Sequence, residues 1–203
     1  MNRQVFFDRL LVSNEEFDLP ELENLYEYLK GLESWEGYID GDPTPEETGF
    51  TSYSSNHMYA LEDLQKDNLP LDALFLRKIM SMDLIPVPAD HMVELVMNAH
   101  EMEEGGGMAF HQDGTYSVAV TIYLNSVEGG AFQAKFEQSE DINSIIEILP
   151  KAGRAVIVKC DTLHRVTKVT KGIRKSIQIF IRYSHRNERD EIQLQDEALR
   201  ASA

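Results

Sequence analysis

Between Met92 and Tyr183 the chain breaks into short strand-like runs separated by glycine turns, and this half constrains the fold more than any other feature. The runs are Val93–Asn98, Met108–His111, Tyr116–Asn125, Ala131–Phe136, Ile145–Leu149, Arg154–Cys160, His164–Thr170 and Ile173–Tyr183. Turn signals stand between them: Gly105-Gly-Gly107, Glu128-Gly129-Gly130, Pro150-Lys-Ala-Gly153 and Lys171-Gly172. Short strands at regular spacing bury their apolar faces by closing into a sandwich or barrel.

The first 91 residues read differently. Residues 4–12 suggest a short strand. Asp18 reads as an N-cap, with Pro20 just inside and Glu21 three residues on, the pattern of a capping box. Leu22, Leu25, Tyr26, Leu29 and Leu32 follow at helical spacing and predict an amphipathic helix over 20–33. A second helical region runs from about 61 to 82, interrupted near Asn68-Leu69-Pro70, with Leu71, Leu74, Phe75, Lys78 and Ile79 as its inner stripe. Residues 36–58, rich in Gly, Pro, Ser and Thr, read as a loop that either connects or serves as a lid. The expectation is an α+β chain with a jelly-roll core and N-terminal helices packed on one sheet. It forms one domain over 1–203: helical support and loop over 1–91, core over 92–184, charged tail over 185–203.

Charge narrows the partners. Thirty-five acids against 19 bases give −16, a balance that repels phosphate backbones and anionic membranes. No apolar run reaches membrane-spanning length and Met1–Arg9 has no apolar signal core, so a cytoplasmic location is expected. Cys160 is the only cysteine, which rules out intrachain disulfides and a cysteine-based zinc site.

The chemistry-bearing residues gather in the strand-rich half. His111-x-Asp113 ends one strand, and residues two apart on a strand point to the same side. About fifty residues later His164 offers a second imidazole, a spacing that suits two edges of one barrel pocket. Two histidines and one carboxylate on one face of a metal leave the opposite face open, as non-haem Fe(II) oxygenases require. The competing reading makes Asp113-Gly114 a hairpin turn with His111 filling the rim. Ten positions after His164 comes Arg174, in a strand whose polar face is Arg174, Ser176, Gln178, Phe180 and Arg182. Its other face, Lys175, Ile177, Ile179, Ile181 and Tyr183, suits packing against helices. A guanidinium followed two positions on by a hydroxyl is apt for holding a carboxylate bidentately, although a solvent-facing strand edge would look the same.

Taken together, these residues resemble the 2-oxoglutarate- and Fe(II)-dependent oxygenases, and within them the prolyl-4-hydroxylase-like branch. The matching elements are His111-x-Asp113, Tyr123-Leu124-Asn125 running to Gly129-Gly130, Pro150-x-x-Gly153, His164 and Gly172-x-Arg174-x-Ser176, over about 98–183. The resemblance implies a double-stranded β-helix core, with His111, Asp113 and His164 as catalytic iron ligands. It places Arg174, Ser176 and Tyr123 at the distal carboxylate of 2-oxoglutarate. Where the family carries a tyrosine before the glycine turn, this chain has Asn98-Ala99-His100, so Asn98 or His100 takes that contact. Tyr116 and Arg182 are expected to line the substrate entrance. Fe(II), 2-oxoglutarate and O2 are implied, and ascorbate is admitted.

The implied reaction is hydroxylation of an unactivated C–H bond in a prolyl residue of a peptide or protein, or in a free amino acid. Asp113 favours hydroxylation, because related halogenases lack the carboxylate and bind chloride in its place. Net charge, and the lack of a Lys/Arg cluster beside aromatics, disfavour nucleic-acid demethylation. Two other classes stay open: a cupin-like module that binds metal without oxidising anything, and a catalytically silent oxygenase fold used for sensing. The pattern leaves oligomeric state undetermined.

Overall fold

The computed structural model describes residues 2–6, 9–14, 17–32, 50–60, 63–82, 91–114, 116–138 and 142–185. In chain order the elements are β1 (Asn2–Phe6), β2 (Leu10–Asn14), α1 (Leu19–Lys30), β3 (Phe50–Ala60), α2 (Leu71–Ser81) and β4 (His91–Met102). Then follow β5 (Met108–His111), β6 (Val118–Tyr123), β7 (Glu128–Gly129), β8 (Phe132–Gln138) and β9 (Ile142–Ile148). The last are β10 (Ala155–Lys159), β11 (Leu163–Val166), β12 (Val169–Lys171) and β13 (Arg174–His185). A seven-stranded sheet in the order β1-β2-β10-β6-β13-β4-β3 faces a four-stranded sheet in the order β5-β11-β8-β9, and β12 and β7 form a small ribbon. The expected jelly roll, with helices on one sheet, is the observed architecture.

Alternation along the strands decides which side chain faces which layer. On one side of the large sheet, Val93, Leu95, Met97, Ala99, Val120, Ile122, Ile177, Ile179 and Ile181 pack with Leu22, Leu25, Leu29, Phe75, Leu76 and Ile79 of the two helices. Each such side chain, fully buried, contributes about 1.5–3 kcal/mol, so this layer is the main source of stability. On the other side, Leu10, Val12, Ala119, Tyr123, Val156 and Val158 meet Phe132, Ala134, Phe136 and Ile148 of the small sheet. The barrel interior, where the small sheet covers the large one, is therefore partly apolar and partly open to polar use.

Three expectations need correction. Residues 50–58, read as loop, belong to β3, which pairs with β4 from Phe50↔Met102 to Ala60↔Met92. Their Ser- and Asn-rich composition hides a strand whose partner is a sheet edge rather than its own sequence neighbours. The rest of that stretch, 36–49, and the tail 186–203 lie outside the described residues. With β1 and β2, β3 makes the first 91 residues a supplier of strands as well as helices. Second, Asp18 is the N-cap of α1 but makes no side-chain cap hydrogen bond, and Glu21 is ion-paired with Lys78 of α2 instead of closing a capping box. Third, Leu74 is exposed, and Ala73, Phe75, Leu76 and Ile79 form the inner stripe of α2. Starting the helix at Leu71 turns Leu74 away from the sheet.

Candidate active site

β5 and β11 are direct neighbours, and His111 and His164 are register partners across them. The sequence spacing suggested two edges of a pocket; pairing brings the two imidazoles side by side instead, with ring centroids 4.4 Å apart. Asp113 lies just past the end of β5, where its backbone N–H donates to the Cys160 carbonyl at 3.1 Å. Its carboxylate then reaches both rings, His111 Nε2 to Oδ1 at 3.5 Å and His164 Nε2 to Oδ2 at 3.4 Å.

Each imidazole is oriented by a carbonyl two residues before it. His111 Nδ1 donates to the Ala109 carbonyl at 2.9 Å, and His164 Nδ1 to the Thr162 carbonyl at 2.8 Å. A carbonyl only accepts, so Nδ1 carries the proton in both rings and the neutral Nε2 keeps its lone pair for a metal. Phe132 stacks on His164 at 5.2 Å and 23°, which fixes the ring plane. The three potential ligand atoms lie within 4.8 Å of one another. Ligands about 2.1 Å from a shared ion stand about 3.0–3.5 Å apart, which matches the nitrogen–oxygen distances found here. Asp113 Oδ2 is buried without a hydrogen-bond donor, as a carboxylate awaiting a cation would be. A His–Asp–His set of this geometry fits iron.

Electrostatics distinguish the two histidines. Burial pulls His111 down, but the hydrogen bond and charge of Asp113 and the Ala109 carbonyl outweigh it and leave its pKa raised. Burial dominates at His164 and lowers its pKa, against the charge of Asp113 and the Thr162 carbonyl. Cys160, beside Asp113, has its thiol pushed up to about 12 by burial and by the charges of Asp113 and Asp161.

A second set of polar groups lines the barrel on β4, β6 and β13. Ser176 is the register partner of both His100 and Tyr123, and Gln178 of Asn98. Arg174 is 3% exposed, and its Nη1 donates to Ser176 Oγ at 3.2 Å. Its guanidinium carbon lies 4.9 Å from the Tyr123 ring centre. No carboxylate among the described residues pairs with it, and Arg174 Nε, Tyr123 Oη and Asn98 Oδ1 are all buried without partners. An unpaired buried charge is costly, so this arrangement suits an anionic ligand that arrives from outside. Gly130 makes room for the arginine: a Cβ there would come within 3.0 Å of Arg174 Cδ. Gly129 is equally constrained, with φ +74 and a Cβ position 2.3 Å from the Lys168 carbonyl. His100 is hydrogen-bonded to Gln178, and burial and then the charge of Arg174 depress its pKa to about 3, so it stands neutral.

The structure thus gathers His111, Asp113 and His164 in one cluster and Arg174, Ser176, Tyr123, Asn98 and His100 in another. Tyr116 and Arg182 form a third group with Phe180: Tyr116 and Phe180 rings are 5.1 Å apart, and the Arg182 guanidinium lies 5.2 Å from the Tyr116 ring centre. The sequence reading missed Phe132, whose part depends wholly on cross-strand packing, and the Cys160 carbonyl that holds Asp113. It placed Gln178 on the right face without a role; the fold sets it opposite Asn98 on β4 and lets its side chain hydrogen-bond His100, two residues along that strand. A groove of about 470 Å³ between Gly105–Ala109 and Arg165–Lys168 contains none of these clusters.

Residues 97–182 match the family model of the 2OG-Fe(II) oxygenase superfamily. This stretch is a 2OG-Fe(II) oxygenase domain. The chain is accordingly a 2-oxoglutarate-dependent dioxygenase, with Fe(II), 2-oxoglutarate and O2 as its cofactor and cosubstrates. Solved structures share the oxygenase fold. An oxidoreductase of the 2OG-Fe(II) oxygenase family from Burkholderia pseudomallei gives a TM-score of 0.57 at 20% identity, covering 87% of this chain and 86% of its own. A Trichoplax adhaerens prolyl hydroxylase, in complex with a hypoxia inducible factor oxygen degradation domain peptide fragment, gives 0.57 at 16%, covering 91% and 87%. A Pseudomonas putida prolyl-4-hydroxylase gives 0.55 at 12%, covering 85% and 91%. No curated protein matches the sequence. Among the described residues no helix of the oxygenase is long and apolar enough to cross a membrane.

Proposed function

We propose that this oxygenase is a hydroxylase of the prolyl-4-hydroxylase-like branch, acting on a prolyl residue in a peptide or protein or on a free amino acid. The observation that carries the reading is Arg174, buried and without a carboxylate partner among the described residues, in the same barrel interior as His111, Asp113 and His164. An enzyme that consumes an organic diacid beside a metal needs both features at once.

In this reading His111 Nε2, His164 Nε2 and an Asp113 oxygen hold Fe(II). The bound ion would couple O2 reduction to decarboxylation of 2-oxoglutarate, with the balance R–H + O2 + 2-oxoglutarate → R–OH + succinate + CO2. The protein's part is to position and to exclude water. Ala109 and Thr162 carbonyls keep both Nε2 atoms deprotonated, and Phe132 keeps the His164 ring from turning. Arg174 Nε and Tyr123 Oη donate to the distal carboxylate, and Ser176 holds the guanidinium in place. Of the two candidates for the family's missing tyrosine, Asn98 is the better, because His100 is already engaged by Gln178. A half-turn of the Asn98 amide presents Nδ2–H to the ligand. Tyr116 and Arg182 line the substrate side.

The test is an anaerobic titration with Fe(II) and 2-oxoglutarate, followed in the visible range for the weak charge-transfer band of the chelate. Succinate is then measured in air with candidate substrates. The band together with substrate-stimulated succinate supports the hydroxylase. Metal binding without the band fits a cupin-like site, and the band without turnover on any substrate fits a silent fold.

A further inference from the structure

Arg174 is the first residue of β13 and follows three exposed ones, Lys171, Gly172 and Ile173. Ile173 is 43% exposed and Gly172 has no side chain, so packing does not anchor the approach to the arginine. On the β4 side the ladder includes Arg174, opposite Met102; on the β6 side it stops at Ser176, opposite Tyr123. One more backbone bond follows there, from Leu124 N–H to the Lys175 carbonyl at 3.0 Å. Beyond it the side chain of Asn125 takes over. Its Oδ1 accepts from Lys175 N–H at 2.9 Å, and its Nδ2 donates to the Ile173 carbonyl at 2.7 Å. A single carboxamide thus grips the main chain on both sides of Arg174. The turn that carries Asn125 is itself held: Tyr123 N–H donates to the Arg154 carbonyl at 3.0 Å, and Gly153 N–H donates to the Tyr123 carbonyl at 2.8 Å. Ala152 N–H donates to Ser126 Oγ at 3.3 Å.

We propose that Asn125 is a positioning residue for the cosubstrate: its amide fixes the main chain of Arg174, and with it the point where the guanidinium meets the distal carboxylate of 2-oxoglutarate. The inference rests on the reading of Arg174 given above and adds the group that aims it. Ser176 Oγ holds the tip of the arginine and Gly130 leaves room for its stem, but neither fixes its Cα. A long side chain magnifies a small error at its root, and paired hydrogen bonds to a planar carboxylate tolerate little misplacement. Tyr123, the second donor to the same carboxylate in that reading, lies two residues before Asn125 on the same anchored turn. The clamp therefore also sets the spacing between the two donors. The alternative role is an amide that only ends a strand pair, which would serve stability and favour no ligand.

The experiment compares two ligands on the full chain loaded with Fe(II), titrated without oxygen and read by the charge-transfer band. One is 2-oxoglutarate; the other is 2-oxobutanoate, which has the same chelating end and no distal carboxylate. Asn125→Ala is expected to weaken 2-oxoglutarate by roughly 10-fold, the scale of two neutral hydrogen bonds, and to leave 2-oxobutanoate within about 2-fold. In an Arg174→Gln background the same substitution should add less than about 2-fold, because the group it aims is gone. Asn125→Asp keeps the acceptor for Lys175 N–H and loses the donor to Ile173. It stands in should Asn125→Ala not fold, and it must lower the preference for 2-oxoglutarate over 2-oxobutanoate as well. Unchanged 2-oxoglutarate affinity, equal weakening of both acids, or an undiminished loss in the Arg174→Gln background overturns the inference. If Arg174→Gln binds both acids as the native protein does, the reading of Arg174 fails and takes the inference with it. A selective loss in Arg174→Gln with a silent Asn125→Ala marks failure of the present inference alone.

Discussion

The two faces of β13 make opposite use of the same backbone. Ile177, Ile179 and Ile181 point toward the helices and are fully buried among aliphatic neighbours. Arg174 and Ser176, one position out of phase, are as deeply buried but face polar groups that lack partners. The helix-facing side is complete by itself. The barrel-facing side is unfinished, since Arg174 Nε, Tyr123 Oη and Asn98 Oδ1 find no hydrogen-bond partner among the described residues, and an unsatisfied buried polar group costs about 1–3 kcal/mol. Stability and function are thus separated by one step of strand pleat, and the separation can be tested.

The largest effect is expected at the metal cluster. Asp113→Ala should abolish 2-oxoglutarate turnover and Fe(II) retention together, read by succinate release and by metal content after desalting; full succinate production would break the assignment. The opposite face should answer in stability. Ile179→Ala leaves a cavity between β13 and the helices and should cost about 3 kcal/mol in chemical denaturation. If Ile179→Ala costs nothing, the helix-facing layer is not where the stability lies. Arg174→Gln should raise the KM for 2-oxoglutarate about 100-fold, equivalent to about 2.7 kcal/mol, without lowering the Tm of the unliganded protein. A large fall in Tm would make the arginine structural.

The smallest effect concerns pH. His100 has its pKa depressed from 6.5 to about 3 in the folded state, so protons bind the unfolded chain first. Its contribution to stability is complete above the unfolded value and drains as the pH falls toward the folded one, by up to about 1.4 kcal/mol per pH unit. His100→Gln should flatten the pH dependence of stability between pH 6.5 and 5 by about one proton. An unchanged slope would show that His100 is not held neutral in the barrel.

How far these features were legible in the sequence depends on the range of the interactions that make them. The helices, the succession of strands and the alternation in β13 come from periodicities of a few residues, and the structure has them. β3 was hidden because its ladder is made with β4, and a Ser- and Asn-rich run shows little strand character until an open edge is placed beside it. Glu21 was misread for a similar reason: its partner Lys78 belongs to another helix.

The site divides along the same line. Residue types and their order along the chain determined that a His-x-Asp, a distant His and a basic strand residue were present, and therefore which chemistry the barrel could hold. Only the fold decided that His111 and His164 are cross-strand neighbours, that two carbonyls set their tautomers, and that Arg174 is buried without a counter-carboxylate among the described residues. Those facts depend on strand register and desolvation. Both are set by groups far apart in sequence, and no local pattern encodes them.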